Sequence, residues 1–157
     1  MKFRSAGRSD VPAILELLAD DDISRARGFG VVPEEVDAAT WAAFEAIDAD
    51  PGNELIVAEA GAAGEGGGEI VATCQLTFTP GLSRGGGWRM TIEAVRVTTD
   101  RRGGGIGRRL MAYAIERARE KNCRVVQLTT DKRRTDAHRF YESLGFTASH
   151  EGMKLTL

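Results

Sequence analysis

Residues 101–109 read Arg101-Arg102-Gly103-Gly104-Gly105-Ile106-Gly107-Arg108-Arg109, four glycines and four arginines around one isoleucine. The hydrophobic period changes at this point. Upstream, 88–98 reads as a strand; downstream, Ile106, Leu110, Met111, Ala114, Ile115 and Ala118 recur at helical spacing to about Asn122. Glycines without Cβ let backbone N–H groups approach a ligand closely. The first turn of the helix adds unpaired donors and a positive dipole end. With arginines on both sides, the stretch has the composition of a phosphate cradle. A Walker A loop would need Lys and Ser/Thr after its last glycine, and Arg108 follows Gly107. A dinucleotide fingerprint belongs to an early βαβ unit, whereas this loop follows three strands. A plain glycine turn between strand and helix is the remaining alternative.

Working outward, Ser9 or Asp10 can cap a first helix with Val11, Ile14, Leu15 and Leu18 on one face. The run Asp20-Asp21-Asp22 ends it, and Gly28 and Gly30 mark a loop. Pro33, backed by Glu34 and Glu35, predicts a second helix start. Val36, Thr40, Trp41, Phe44 and Ile47 follow on one face before Pro51-Gly52. Strands are expected at 54–60, 70–79 and 88–98, with a glycine-rich hairpin loop at 61–68 and another loop at 80–87. Beyond the cradle, 124–130 reads as a short buried strand and 135–144 as a helix closed by Gly145. Final strands are expected near 146–149 and 153–157. Nothing resembles a repeat or a domain linker, so 1–157 reads as one domain.

Composition excludes several classes. The chain has 157 residues, 42% of them hydrophobic and 28% charged, as in ordinary globular proteins. No apolar run approaches the ~20 residues of a membrane span, and Met1–Asp10 lacks a signal peptide's apolar region, so the cytoplasm is the expected compartment. Cys74 and Cys123 provide neither a disulfide framework nor a metal cluster. Residues 1–69 hold 5 Lys/Arg against 15 Asp/Glu, and 70–157 hold 16 against 8, so the halves carry −10 and +8. The basic half either handles an anion or mixes with the acidic half on the folded surface. The overall acidic balance and lack of interleaved aromatics point away from nucleic acid.

Three segments carry a family resemblance. Arg102-Gly103-Gly104-Gly105-Ile106-Gly107 resembles the Arg/Gln-x-x-Gly-x-Gly/Ala signature of the GNAT acetyltransferases, Ile92-Glu93-Ala94-Val95-Arg96-Val97 looks like that family's fourth strand, and Ala137-His138-Arg139-Phe140-Tyr141-Glu142-Ser143-Leu144-Gly145-Phe146 resembles its Ala-x-x-Phe-Tyr-x-x-x-Gly-Phe segment. Gln127 to Leu157 is also similar to the C-terminal part of aminoalkylphosphonate N-acetyltransferases, through Asp136-Ala137-His138-Arg139-Phe140-Tyr141 and Ser149-His150. The resemblance implies an α/β GNAT fold, with a mixed, mostly antiparallel central sheet flanked by about four helices. The strands at 88–98 and 124–130 would be its parallel β4–β5 pair. It implies acetyl-CoA as acetyl donor and a small-molecule primary amine as acceptor. A homodimer is common in the family, although no residue here establishes one.

The resemblance places the cofactor on Val95, Arg96 and Val97, on Arg102, Gly103, Gly104, Gly105, Ile106, Gly107 and Arg108, and on Ala137 and Tyr141. Arg134 stands where many members have an asparagine; with Lys132 and Arg133 it could meet the 3′-phosphate or an anionic substrate. The strand around Val95-Arg96-Val97 is expected to splay from its neighbour. Amide formation needs a route for the ammonium proton, a stabilised oxyanion and an acid for the departing thiolate. Glu93 is the candidate base, sharing a face with Val95 and Val97 if alternation holds; a structural pairing with Arg89 is the alternative. Tyr141 is the candidate acid, or else a packed aromatic beside Phe140 and Leu144. His150 could line the acceptor pocket. A non-catalytic acyl-CoA sensor and a protein or peptide N-acetyltransferase are the alternative functions.

Overall fold

The computed structural model describes residues 1–20, 35–61 and 68–157. Among them, five strands form one sheet in the order β1 (Lys2–Ser5), β2 (Asn53–Ala60), β3 (Glu69–Thr79), β4 (Trp88–Val97), β5 (Cys123–Leu128). The first three pairings are antiparallel and β4–β5 is parallel. Parallel neighbours need a crossover, here α3 (Ile106–Glu120). The other helices are α1 (Val11–Ala19), α2 (Ala38–Ala49) and α4 (Thr135–Glu142).

The core divides by sheet face. Leu110, Met111, Ala114 and Ala118 of α3 pack on Ile56, Cys74, Leu76, Met90 and Ile92, all buried. On the other face Ile14 of α1 packs with Val57, joined by Leu18, Leu55 and Ile70. Burying each large aliphatic side chain contributes about 1.5–3 kcal/mol. This sandwich holds the sheet rigid beneath the loops at the β4 end.

Several expectations change. The strand β1 was not anticipated, because Lys-Phe-Arg-Ser alternates too briefly to read. It forms because β2 offers an edge, Phe3 stacks on Tyr113 (5.3 Å between centroids) and Arg4 reaches Asp10 and Glu59. Pro33 and Glu34 lie outside the described residues, as does 21–32. Residues 35–37 are not helical, and α2 starts at Ala38, where the Asp37 carboxylate accepts the Thr40 N–H at 2.7 Å. That is an N-cap bond, a more direct signal than Pro33, four residues earlier in the sequence.

Neither final strand forms among the described residues: 146–157 has no ladder partner, and Met153, Leu155 and Leu157 are exposed. Alternation specifies a strand's faces but not its neighbour. The strand β5 is half-buried rather than buried, since Arg124 and Gln127 are exposed. The loop at 80–87 contains a turn, Ser83–Gly86, whose Arg84, Gly85 and Gly86 have φ of 55°, 67° and 74°.

Candidate functional site

Three elements meet at the C-terminal end of β4. The first is a bulge. Cα partners run Thr77–Thr91, Leu76–Ile92, Gln75–Glu93 and then Thr73–Arg96, so Ala94 and Val95 together face Cys74. Ala94 takes φ = +52°, the left-handed conformation that resets the pleat. Before it, Met90 and Ile92 point into the core; after it, Val95 and Val97 pack against that same core. Glu93 is exposed on the opposite face, so the expected common face with Val95 and Val97 does not exist. One extra residue inverts the alternation.

The second element is a parting of strands. Parallel pairing ends at Ile92–Leu128 while β4 runs on to Val97, leaving that stretch without β5 beside it. The expected splay is therefore present. Some of its polar groups are already used: the Val97 carbonyl accepts Arg102 Nε at 3.1 Å, and the Val95 carbonyl accepts Arg96 Nη1 at 2.9 Å.

The third element is the start of α3. Gly103 and Gly105 take φ of 81° and 79°, where L side chains are strained. The N–H groups of Gly103, Gly105, Ile106, Gly107 and Arg108 take part in no backbone hydrogen bond among the described residues. They form a row of donors at a positive helix end, a fit for a diphosphate. Gly107 has a packing reason as well: a Cβ there would stand 3.4 Å from Phe140 Cζ and 3.7 Å from Val97 Cγ2. The helix start, the β4 end and α4 thus touch at one point.

Tyr141 lies on α4, its ring 5.2 Å from Phe140 and 6.0 Å from Phe146. Burial pushes its phenol above the usual range, while the positive charges of Arg134 and Arg96 draw it partly back. A raised phenol stays protonated at neutral pH and can donate. Cys74, beneath the bulge, is fully buried and its thiol is pushed up to about 12 by desolvation. Such a thiol does not form the thiolate a nucleophile needs.

The profile of the acetyltransferase (GNAT) family matches residues 12–146. The chain belongs to that family. Among curated relatives, this GNAT chain is 36% identical over 83 residues to an aminoalkylphosphonate N-acetyltransferase of Salmonella typhimurium, covering 53% of each chain. It is 37% identical over 90 residues to a glucosamine 6-phosphate N-acetyltransferase of Trypanosoma brucei brucei, covering 57% of this chain and 59% of that one. The match therefore spans little more than half the length of either relative. A solved structure described as a transcriptional regulator from Bacillus halodurans C-125 is 47% identical, covers 99% of both chains and superposes with a TM-score of 0.89.

Within this GNAT domain, the arginine side chains of the loop turn to structural work. Arg102 Nη2 donates to the Asp20 carbonyl at 2.9 Å, tying α1 to the cradle, and Arg108 Nη2 donates to Ser143 Oγ at 2.9 Å, tying α3 to α4. In the charge run, Arg133 folds onto Asp131 (2.9 Å) and Lys132 pairs with Glu151 (3.3 Å). Arg134 is the N-cap residue of α4 and lies near the Tyr141 phenol. Ala137 is half-buried on α4, one turn before Tyr141. His138 Nε2 lies 3.2 Å from the Asp131 carbonyl, and His150 Nδ1 lies 2.8 Å from Ser149 Oγ, exposed. The alternative Glu93–Arg89 pair does not form among the described residues. Ala94, the residue that makes the bulge, was missed, because nothing in Ile92-Glu93-Ala94-Val95 marks which position takes a positive φ.

Proposed function

We propose that the chain transfers the acetyl group of acetyl-CoA to the primary amine of a small molecule, by direct attack in a ternary complex. The observation that carries this reading is the convergence of a donor-rich helix start, a parted β4 with an exposed carboxylate at its bulge, and a protonated phenol. The curated relatives support a small acceptor, since both are named for N-acetylation of small amines. The buried, high-pKa Cys74 supports direct transfer over an acetyl-cysteine route.

Acetyl-CoA supplies a thioester that accepts the amine at its carbonyl carbon and loses its sulfur as a thiolate. The free N–H groups of Gly103, Gly105, Ile106, Gly107 and Arg108 would hold its diphosphate, and the parted edge of β4 around Val95-Arg96-Val97 would receive its pantetheine arm. An alkylammonium has a pKa near ~10.4, so the incoming amine must lose a proton before it attacks. Glu93 takes that proton, directly or through water, from the open side of the sheet. Tyr141 gives its proton to the departing sulfur and regains one from solvent. Arg96 and Arg134 stabilise the transient phenolate, as their pull on its pKa indicates.

The test is product mass. Acetyl-CoA and a panel of amines (aminoalkylphosphonates, polyamines, amino acids, aminoglycosides, short peptides) are incubated with the protein. One class of small amine should gain a single acetyl group, with no acetylated protein when the acceptor is omitted. Acetylated protein accumulating without acceptor would overturn direct attack. Tight CoA binding with no product from any amine or peptide would favour the sensor reading.

A further inference from the structure

The face of the sheet opposite α3 carries a polar patch beside Glu93. The pairing register maps it. Gln75 lies opposite Glu93, Thr77 opposite Thr91, and Thr79 opposite Arg89, while Gln127 of β5 lies beside Thr91. Helix α1 covers this face where Val57, Leu55 and Ile70 lie. Among the described residues Arg89, Glu93 and Gln127 remain exposed.

The uncharged members are held in place. Gln75 Nε2 and Thr77 Oγ1 donate to Asn53 Oδ1 at 3.1 and 2.9 Å, and Gln127 Nε2 donates to Thr91 Oγ1 at 3.2 Å. Two members are charged, Glu93 and Arg89, at opposite ends of the patch. Neither forms an ion pair among the described residues, although other acids of the sheet, Glu54, Glu59 and Glu69, are all paired. They lie four positions apart on one strand face, about 13 Å between Cα atoms at the usual rise. Their side chains span part of that distance, leaving room for a chain of a few atoms.

We propose that this patch is the acceptor platform and that Arg89 reads an anionic group on the acceptor. The inference rests on the acetyl-transfer reading and names its substrate class: a compact zwitterion, with a primary ammonium at Glu93 and a phosphonate, phosphate, sulfonate or carboxylate at Arg89. The amine must sit at Glu93 to reach the bulge. The rest of the molecule then lies back along β4, toward Arg89. A guanidinium recognises a planar or tetrahedral oxyanion through two donors, and the same cation repels the second ammonium of a polyamine. Gln75, Thr91 and Gln127 line the path between as neutral hydrogen-bonding groups.

The experiment compares matched amines: 3-aminopropylphosphonate, 3-aminopropanesulfonate, 4-aminobutyrate, 3-aminopropanol and 1,3-diaminopropane. CoA release is measured for the parent, Arg89→Gln and Arg89→Lys, and acetyl-CoA affinity is measured as a control on folding. Anion-bearing amines should have the highest kcat/KM, and their relative rates distinguish the phosphorus, sulfur and carboxyl oxyanions. Arg89→Gln should raise KM about tenfold or more for these amines alone, with kcat and acetyl-CoA affinity retained and Arg89→Lys intermediate. Turnover best with the alcohol or the diamine, or an equal loss on every amine in Arg89→Gln, would overturn the platform while leaving acetyl transfer standing. CoA release from none of these or any other amine would overturn acetyl transfer itself, and the platform with it.

Discussion

Gly107 faces Phe140 so closely that a Cβ on the glycine would stand 3.4 Å from the ring's Cζ. The contact couples the cradle on α3 to the helix that carries Tyr141. Alanine at this position is a tight but tolerable fit, whereas a branched side chain must displace Phe140 or Val97. Gly107→Val should therefore lose about 1–3 kcal/mol by overpacking and weaken acetyl-CoA binding, with Gly107→Ala much milder. Chemical denaturation and acetyl-CoA titration check both; equal behaviour of the two variants would contradict the contact.

Ala94 holds φ = +52° at an exposed position, a conformation that costs a non-glycine residue about 1–2 kcal/mol. Glycine there releases strain and loses no packing, so Ala94→Gly should match or slightly exceed the parent in Tm. A β-branched residue tolerates this region poorly. Ala94→Val should fall about 1–3 kcal/mol below Ala94→Gly and lose activity, because the bulge sets where Glu93 and Val95 point. Parent-like stability and turnover in Ala94→Val would contradict the assigned bulge.

Asp10 is buried, receives Arg4 Nη1 and Nη2 at 2.6 and 2.9 Å, and accepts the Gly7 N–H at 2.7 Å. The Arg4 guanidinium, followed by the Gly7 bond, holds its carboxyl below the usual range. A depressed folded pKa stabilises the fold above the unfolded value near ~3.9 and is lost as pH falls through the folded one. Asp10→Asn should thus be about 1–3 kcal/mol less stable than the parent at pH 7, and the gap should start to narrow as pH falls below about 4. Urea midpoints across pH 2–8 measure it; a gap as large at pH 2 as at pH 7 would contradict the pairing.

Cys74 is inaccessible, whereas Cys123 is half-buried, with a thiol raised more by desolvation than Lys121 lowers it. A thiol reagent should titrate at most one cysteine in the native protein, slowly, and two on unfolding. Cys74→Ala should keep acetyl transfer while losing some stability to the cavity. Loss of transfer without loss of fold would contradict direct attack.

Most of the sheet was legible because β2, β3 and β4 are long apolar-rich runs bounded by glycine or proline, and the loop that starts α3 was legible because glycine and arginine mark it in the primary sequence. Three features were not. The strand β1 depends on the edge that β2 offers, a non-local partner. The Ala94 bulge exists only in the register between β4 and β3, and it moved Glu93 to the face opposite Val95 and Val97. The run Met153-Lys154-Leu155-Thr156-Leu157 alternates like a strand, yet no neighbouring strand pairs with it among the described residues. For the loop arginines, composition signalled charge, while the directions of Arg102 and Arg108 followed from Asp20 and Ser143, distant in sequence.

The most direct test is the pH dependence of CoA release from acetyl-CoA with a saturating amine, for the parent, Glu93→Gln and Tyr141→Phe. If Glu93 carries the amine's proton and Tyr141 supplies the thiolate's, both variants keep acetyl-CoA affinity and lose about 10²–10⁴ in kcat. Tyr141→Phe also loses the alkaline limb of the profile, which the raised Tyr141 phenol sets. Parent-like kcat in both variants, with the alkaline limb intact in Tyr141→Phe, would contradict the account.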